Sequence, residues 1–293
     1  MFKKRFIKYV LAGFCLFPAY AFANSYEALE TMLDKKMRTL DRIHLRYANE
    51  LLTVRNDSGF EEYFEYENDP PKRKQALASI QKLSLYTHSR FNMDEMCLIS
   101  RPVTLPDGKV ITPEIMRISG NKIATNDELS LEEGDNPFYE PSFKLKDQEV
   151  RIQSAYISHD SHRWVVAYST PVVLSNGSIP AFLHYERYLG EYIDQLLTFL
   201  ENKRLIVMDD TGLVLADSVK TISLQLKHDL SESAQEDPKQ YFSPIYSEFI
   251  KWKSAILAGK KLKEQIPLDN KQCLFVSAPH HQLKISIILV SCP

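Results

Sequence analysis

A pair of long apolar segments in the middle of the chain constrains the fold more than any other feature. Residues 163–173 and 178–185 are rich in β-branched and aromatic side chains, and Ser175-Asn176-Gly177 between them is a turn sequence. The pattern predicts a β-hairpin in an antiparallel sheet. Polar and aromatic side chains cluster near the start of the first strand: Tyr156, His159, Arg163, Trp164 and Tyr168. Small-molecule pockets combine apolar walls with a few orienting polar groups, so the hairpin favours a binding module over a catalyst.

The first 23 residues have the build of a secretory signal peptide. Lys3, Lys4 and Arg5 precede an apolar core at residues 10–20, and Ala21-Phe22-Ala23 is a small-x-small cleavage sequence. The core is shorter than the roughly 20 residues that a membrane span needs. We therefore expect cleavage after Ala23 and a periplasmic or secreted protein. An uncleaved N-terminal anchor is the alternative.

Composition and motifs exclude several classes of function. The net charge of −2 gives no electrostatic basis for binding nucleic acid. The sequence has no G-x-S-x-G, H-E-x-x-H, P-loop or Rossmann motif, and its nine glycines leave little material for phosphate-binding loops. His159 and His162 lack an evident third ligand, and no cysteine pair has metal-ligand spacing. We therefore expect neither an enzyme nor a resident metal or cofactor.

Three cysteines follow the predicted signal peptide, so at most one internal disulfide can form. Cys97 lies in the apolar segment 96–99 and is predicted to be a small buried hydrophobe. Cys273 and Cys292 belong to the last predicted hairpin. A turn centred on His280-His281 would place Cys273 opposite about Ile288, a register that disfavours a Cys273–Cys292 bridge.

The start of the mature chain is predicted to be one long helix over residues 26–54, with Ser25 at its N-cap position. Apolar side chains recur at steps of three and four and form one stripe: Leu29, Leu33, Met37, Leu40, Ile43, Tyr47 and Leu51. The stripe could pack on the chain's own core or form the seam of a homodimer.

The rest of the chain alternates short strands with helices and divides into two α+β parts. A helix at 72–87 and strands at 96–100, 113–119, 149–156, 163–173 and 178–185 form the first. A helix over 187–202 leads to strands at 204–208, 213–217, 272–278 and 283–290, with charged helical and loop material at 221–263. We read the second set as a structural repeat of the first.

Several segments resemble the double-Cache (PAS-like) extracytoplasmic sensor domains of bacterial signalling proteins. EIMRISGNKIA (114–124), NPFYEPSF (136–143) and AYISHDSHRWVVAYSTPV (155–172) are similar to the membrane-distal module. MDDTGLVLADS (208–218) and CLFVSAPHHQLKISIILVS (273–291) are similar to the membrane-proximal one. The resemblance implies an α+β fold in which a long N-terminal helix is followed by two PAS-like modules, each an antiparallel sheet flanked by helices. Its domain boundaries are a signal peptide at 1–23, helix and loop at 24–67, a distal-type module at 68–186, a connecting helix at 187–202 and a proximal-type module at 203–293.

The resemblance also implies where a ligand binds. Such domains hold amino acids, amines or carboxylates in the distal module, and their Tyr, Arg, Trp and acidic positions correspond here to Tyr156, Arg163, Trp164 and Glu186. Tyr139, between two prolines, is a further candidate. Strand alternation places Trp164 and Tyr168 on the same face, and we predict that this face lines the cavity.

The sequence thus predicts a periplasmic sensor that binds a small polar metabolite and reports occupancy to a membrane signalling partner. Receptors of this family continue into a second transmembrane helix and an output domain, whereas this sequence stops at Pro293. An adaptor protein without a ligand and a secreted hydrolase with an unrecognised site are the alternatives.

Overall fold

The chain divides into two compact units. The computed structural model describes residues 3–91, 93–158, 161, 163–200, 203–210, 212, 214–219, 245–268 and 270–292, and their side chains except those of 3–25 and 245–250. The first module comprises residues 41–191, and the second module comprises residues 1–40 and 192–293. No helix in the described part of the chain is both long enough and apolar enough to cross a bilayer.

Helix α1 (Lys3–Arg55) is 53 residues long and contributes residues to both modules. Its C-terminal end lies within one residue of the prediction, but it begins at Lys3 and passes through Ser25, so Ser25 is not an N-cap. Six of the seven stripe residues are buried within the chain, and Met37 is half-buried. The buried ones are Leu29, Leu33 and Leu40 in the second module, and Ile43, Tyr47 and Leu51 in the first. The stripe therefore serves as core of this chain.

The first module is built on a six-stranded antiparallel sheet. Its strands are β1 (Glu95–Ser100), β4 (Glu114–Ser119), β5 (Lys122–Ile123), β6 (Arg151–Ile157), β7 (Trp164–Val172) and β8 (Ala181–Tyr188), in the order β5-β4-β1-β8-β7-β6. Helices α2 (Gly59–Glu65), α3 (Pro70–Phe91) and α4 (Tyr139–Ser142), the short strands β2 (Val103–Thr104) and β3 (Val110–Ile111), and a 3₁₀ turn (Glu133–Asp135) complete it.

The predicted β7–β8 hairpin is confirmed. Gly177 occupies its turn with φ of 82°, a conformation that glycine adopts without a Cβ penalty. Strand β8 extends three residues beyond the predicted end, so Glu186 and Arg187 lie in the sheet. The following helix α5 (Leu189–Leu197) is correspondingly shorter than the predicted 187–202.

The two faces of this sheet have different surroundings. On one face, Tyr168 stacks on Tyr185 with ring centroids 5.1 Å apart, and Tyr47 of α1 packs edge-on against both rings. On the opposite face, an apolar cluster lies beneath α4: Cys97, Ile99, Phe138, Tyr139, Phe143, Ala167 and Phe182. Successive strand residues point to opposite faces, so the alternating apolar sequence of β1, β7 and β8 supplies both layers.

The second module holds a five-stranded antiparallel sheet and helix α6 (Ile245–Leu257). The strands are β9 (Arg204–Asp209), β10 (Val214–Asp217), β11 (Leu262–Leu268), β12 (Lys271–His280) and β13 (Ile285–Ser291), in the order β10-β9-β13-β12-β11. Of the predicted helical and loop segment 221–263, residues 221–244 lie outside the described residues. Strand β11 was not predicted. Its Ile266 and Leu268 are buried, but Lys263, Glu264 and Gln265 before them hide the alternation of apolar and polar residues.

Cys273 and Cys292 form a disulfide bond, contrary to the predicted register. The turn of the last hairpin lies at residues 281–284, and Leu274 pairs with Ser291. Moving the turn by about two residues changes the partner of each β12 residue by about four positions. Cys273 therefore lies beside Cys292. Cys97 is unbridged and buried, as predicted.

Candidate ligand-binding cavity

A cavity of about 250 Å³ lies within the first module, on the sheet face that carries Cys97. Its base is formed by strands β1 and β8, and its side by the 3₁₀ turn Glu133–Asp135 and the residues that follow. The lining residues are Glu95, Cys97, Ser130, Glu132, Glu133, Asp135, Asn136, Phe138, Ser158, His184 and Glu186.

The register of the β1–β8 pair places the side chains at the base of the cavity. Glu95 lies opposite Glu186, and Cys97 lies opposite His184. Directly opposed residues of an antiparallel pair have Cβ atoms about 5 Å apart, and residues two apart in a strand share a face. Two residues from each strand thus form a square on one side of the sheet. Phe138 covers it, stacked on the His184 ring at a centroid distance of 3.8 Å.

The cavity is strongly acidic. Five carboxylates line it, from Glu95, Glu132, Glu133, Asp135 and Glu186, and the described lining includes neither lysine nor arginine. Glu95, Glu133 and Glu186 are buried. A concentration of carboxylates gives the cavity a negative electrostatic potential, which favours occupation by a cationic group.

The pKa values of neighbouring groups reflect the same desolvation. Burial raises the pKa of Glu114 to about 7, although its carboxylate accepts a hydrogen bond from the Ser130 amide at 2.8 Å. Burial, together with the nearby acids Glu95 and Glu114, raises the pKa of the Cys97 thiol well above its usual value. Burial and the adjacent Glu186 raise the pKa of Tyr156, so this hydroxyl stays protonated and donates to the Glu186 carboxylate.

His184 is the most unusual polar group of the cavity. Its residue is 1% exposed, and neither ring nitrogen makes a hydrogen bond to any described residue. Its nearest charged neighbour is Glu186, with Nε2 and Oε1 3.7 Å apart. A neutral imidazole carries one donor and one acceptor, and leaving both unsatisfied in a buried position costs free energy. A group bound in the cavity beside His184 can supply a hydrogen-bond partner for these ring nitrogens.

The structure places two of the predicted ligand-binding residues at this cavity. Glu186 lines it, and the Tyr156 hydroxyl donates to Glu186 from the edge strand β6. Tyr139 lies below the lining. It is buried in the apolar cluster, and its hydroxyl donates to the Ser100 carbonyl at 2.9 Å.

The other three predicted residues do not line the cavity. Arg163 holds its guanidinium carbon 4.5 Å from the centre of the Tyr188 ring, and Trp164 is half-buried at the start of β7. Tyr168 is fully buried on the opposite sheet face, where its hydroxyl is hydrogen-bonded to Nδ1 of His44. The prediction that the Trp164–Tyr168 face lines the cavity is corrected by the register, because Tyr168 pairs with Tyr185 and not with a cavity residue of β8.

Sequence reasoning missed Glu95, Cys97 and His184. They stand among apolar residues in the strand sequences EMCLIS and AFLHYERY. Their place in strands that the sequence predicts to be buried was a usable signal, since charged residues are rarely buried. Their proximity was not, because β1 and β8 are more than 80 residues apart in the sequence.

Comparison with known proteins identifies the fold. No family model matches the sequence, and no curated protein is similar to it in sequence. The sensory domain of the Campylobacter jejuni chemoreceptor Tlp3 with isoleucine bound superposes with a TM-score of 0.64 and 11% identity, over 94% of this chain and 95% of that one. The ligand-binding domain of the same receptor in complex with L-valine gives a TM-score of 0.63 at 12% identity, over 94% and 95% of the two chains.

A third similar structure comes from another group of signalling proteins. It is a domain from Vibrio parahaemolyticus assigned to the sensory box/GGDEF family, with a TM-score of 0.63 and 10% identity, over 92% of this chain and 97% of that one. The chain therefore has the fold of the sensory domains of bacterial receptors, two PAS-like α+β modules preceded by a long helix. The resemblance to double-Cache sensor domains is confirmed at the level of the fold.

Proposed function

We propose that this protein is a non-enzymatic extracytoplasmic sensor that binds a small polar metabolite in the cavity of its first module. The observation that carries the proposal is the buried His184, without a hydrogen bond to any described residue, in a cavity whose lining includes five carboxylates. A pocket of this size suits a metabolite rather than a macromolecule. The similarity of fold to sensory domains over more than nine-tenths of the chain supports the same function.

The charge of the cavity favours an amine among the three ligand classes predicted from the sequence. The structurally similar Tlp3 domain binds isoleucine and valine. An amino acid needs a partner for its carboxylate, and the Arg163 guanidinium lies over Tyr188, outside the described lining. An ammonium group can pair with Glu186 and the neighbouring acids. A ligand that carries only carboxylates would be repelled by the same groups.

Export and signalling complete the proposal. The protein acts in the periplasm after cleavage behind Ala23, and occupancy of the cavity is reported to a membrane signalling partner. The apolar stripe of α1 is already buried in the chain, so a homodimer through this helix would use its remaining faces. N-terminal sequencing of the protein purified from the periplasmic fraction tests the cleavage, and sedimentation of that protein tests the dimer.

Thermal unfolding with a ligand library tests the proposed binding. The chain from Asn24 is screened against amino acids, monoamines, polyamines and small carboxylates, and a ligand of the folded state present at 100 times its Kd adds about 2.7 kcal/mol of stability. We expect at least one amine to raise the melting temperature. Glu186→Gln should abolish this response, because it removes the charge beside His184. Glu140→Gln, an exposed acid on α4 outside the lining, should not.

The outcome that contradicts the proposal is equally specific. A library without any stabilising compound would favour the adaptor function. A response that persists unchanged in Glu186→Gln would place the ligand elsewhere.

A further inference from the structure

Three buried side chains at the base of the cavity bring metal-binding atoms together. One carboxylate oxygen each of Glu95 and Glu114 and the sulfur of Cys97 all lie within 4.8 Å of one another. The Cys97 sulfur is 3.4 Å from Oε1 of Glu95. Surface acids often cluster without a ligand, but these three residues are all buried.

The order of the strands explains how these groups meet. Strand β1 supplies Glu95 and Cys97 from one face, β4 on one side supplies Glu114, and β8 on the other side supplies His184. A bulge between Leu98 and Ile99 shifts the β1–β4 register just before Glu114. Bulges reorient side chains at functional sites.

Glu114 is held in position with one oxygen still available. Its Oε2 accepts the Ser130 amide at 2.8 Å and lies 3.7 Å from Nε of Arg117, whereas its Oε1 makes no hydrogen bond within the described part of the chain. The carboxylate is thus fixed through one oxygen, and the other is available to a ligand.

His184 is an independent observation that points to the same place. It lies directly opposite Cys97 in the β1–β8 pair and faces the cavity, and both of its buried ring nitrogens lack hydrogen bonds to described residues. A metal ion on one nitrogen would remove half of this deficit, and it would also neutralise the adjacent carboxylates.

We infer that Cys97, His184, Glu95 and Glu114 form a binding site for a divalent transition-metal ion of the zinc type. Thiolate and imidazole donors select such ions, whereas calcium and magnesium prefer oxygen ligands alone. Zinc binds these donors at about 2.0–2.3 Å in a tetrahedron, so its ligand atoms are about 3.5 Å apart. The donor atoms of Glu95, Cys97 and Glu114 lie no more than 4.8 Å apart, so each pair of these three closes by about 1.3 Å or less on binding, a movement within reach of side-chain rotation.

This site goes beyond the proposed metabolite binding and does not depend on it. The sequence did not predict it, because its donors come from three strands that are far apart in the sequence. The ion would lie at the base of the cavity, where Glu186 and the 3₁₀ turn remain for a metabolite.

Cobalt binding tests the inference with a spectroscopic readout. The untagged chain from Asn24 is freed of metal with a chelator, loaded with Co²⁺ or Zn²⁺, and dialysed. We expect one ion per chain and, with Co²⁺, a thiolate-to-metal charge-transfer band in the near ultraviolet. Cys273 and Cys292 are bridged and cannot contribute that band.

Variants assign the ligands. Cys97→Ser, a small change at a buried position, should remove the charge-transfer band, and Glu114→Gln should weaken Zn²⁺ binding at least about ten-fold. Glu140→Gln should bind like the wild type, and circular dichroism of each variant verifies folding. The absence of retained ion in the wild type would overturn the inference, as would a bound ion whose spectrum and affinity survive Cys97→Ser and Glu114→Gln. Amine binding by the metal-free protein, with no ion retained after loading, would leave the proposed function standing and refute only the metal site.

Discussion

The disulfide between Cys273 and Cys292 should provide much of the stability of the second module. It joins the two strands of the last hairpin, and Cys273 is fully buried in the core cluster with Phe275 and Ile288. Reduction of the bond leaves every side chain of the chain in place. The comparison of oxidised and reduced protein therefore isolates the effect of the cross-link.

The size of the effect follows from the length of the closed loop. The two cysteines are 19 residues apart in the sequence. Loop-closure entropy for a loop of this length gives about 3 kcal/mol of stability, lost when the unfolded chain regains its freedom on reduction. This is a large share of the 5–15 kcal/mol that is typical of a folded domain.

The two tryptophans allow the modules to be followed separately. Trp252 of α6 stacks on Phe275 at a centroid distance of 5.8 Å, and Trp164 lies in the first module. In a Trp164→Phe background, urea unfolding monitored by fluorescence reports the second module alone. We expect the free energy of unfolding to fall by about 3 kcal/mol when a reductant is present throughout.

A double variant controls for other effects of the reductant. Cys273→Ala with Cys292→Ala should unfold identically with and without reductant. Oxidised and reduced wild-type curves that differ by less than about 0.5 kcal/mol would refute the reasoning, because the loop would then be constrained in the unfolded chain by other means.

Two further predictions concern the first module. Burial raises the pKa of Asp94 from 3.8 to about 7 against the lowering effect of its hydrogen bond from the Tyr188 amide, so the folded state retains a proton that the unfolded chain releases. Stability from this group is therefore present below pH 3.8 and is lost as pH rises to about 7. Asp94→Asn should gain up to about 4 kcal/mol over the wild type between pH 4 and pH 8 in urea unfolding with a chelator present, and parallel pH profiles would contradict this. Gly177→Ala should lower the free energy of unfolding by about 1 kcal/mol, because the φ of 82° is unfavourable for a residue with a Cβ. A steric clash does not add to this loss, since a Cβ there meets nothing within 4 Å. Gly177→Asn, a better left-handed residue, should cost less, and equal losses in both variants would disprove the backbone explanation.

The sequence predicted the elements that have strong periodicity. The α1 stripe from Leu29 to Leu51 has a helical repeat, which predicted the helix but not whether the stripe packs on the chain itself. The β7–β8 hairpin combines two apolar strands with an Asn-Gly turn. The division into two α+β parts followed from the order of such elements. Strand β11 has too few apolar residues for its period to be visible, so it was missed.

Register is the property that local sequence determined least well. In the last hairpin, His280-His281 was as plausible a turn as residues 281–284, and the difference decided whether Cys273 meets Cys292. In the first module, the pairing of Tyr168 with Tyr185 decided which face of β7 points towards the cavity. Both outcomes depend on how distant strands align, and that alignment is set by the packing of whole faces.

Under the proposed function, one face of the first sheet serves stability and the other serves ligand recognition. Tyr168 and Tyr185 stack on each other and against Tyr47, so this face is fully packed by large side chains from the chain itself. The other face holds charged and polar groups, among them Glu95 and His184. Apolar residues of the same size would stabilise the folded state better than these groups do. Polar groups that weaken the folded state on their own are retained where they interact with something else. The grouping of Glu95, His184 and Glu186 around one cavity supports the proposal that a ligand is recognised there, whereas the fully buried Tyr168 belongs to the core.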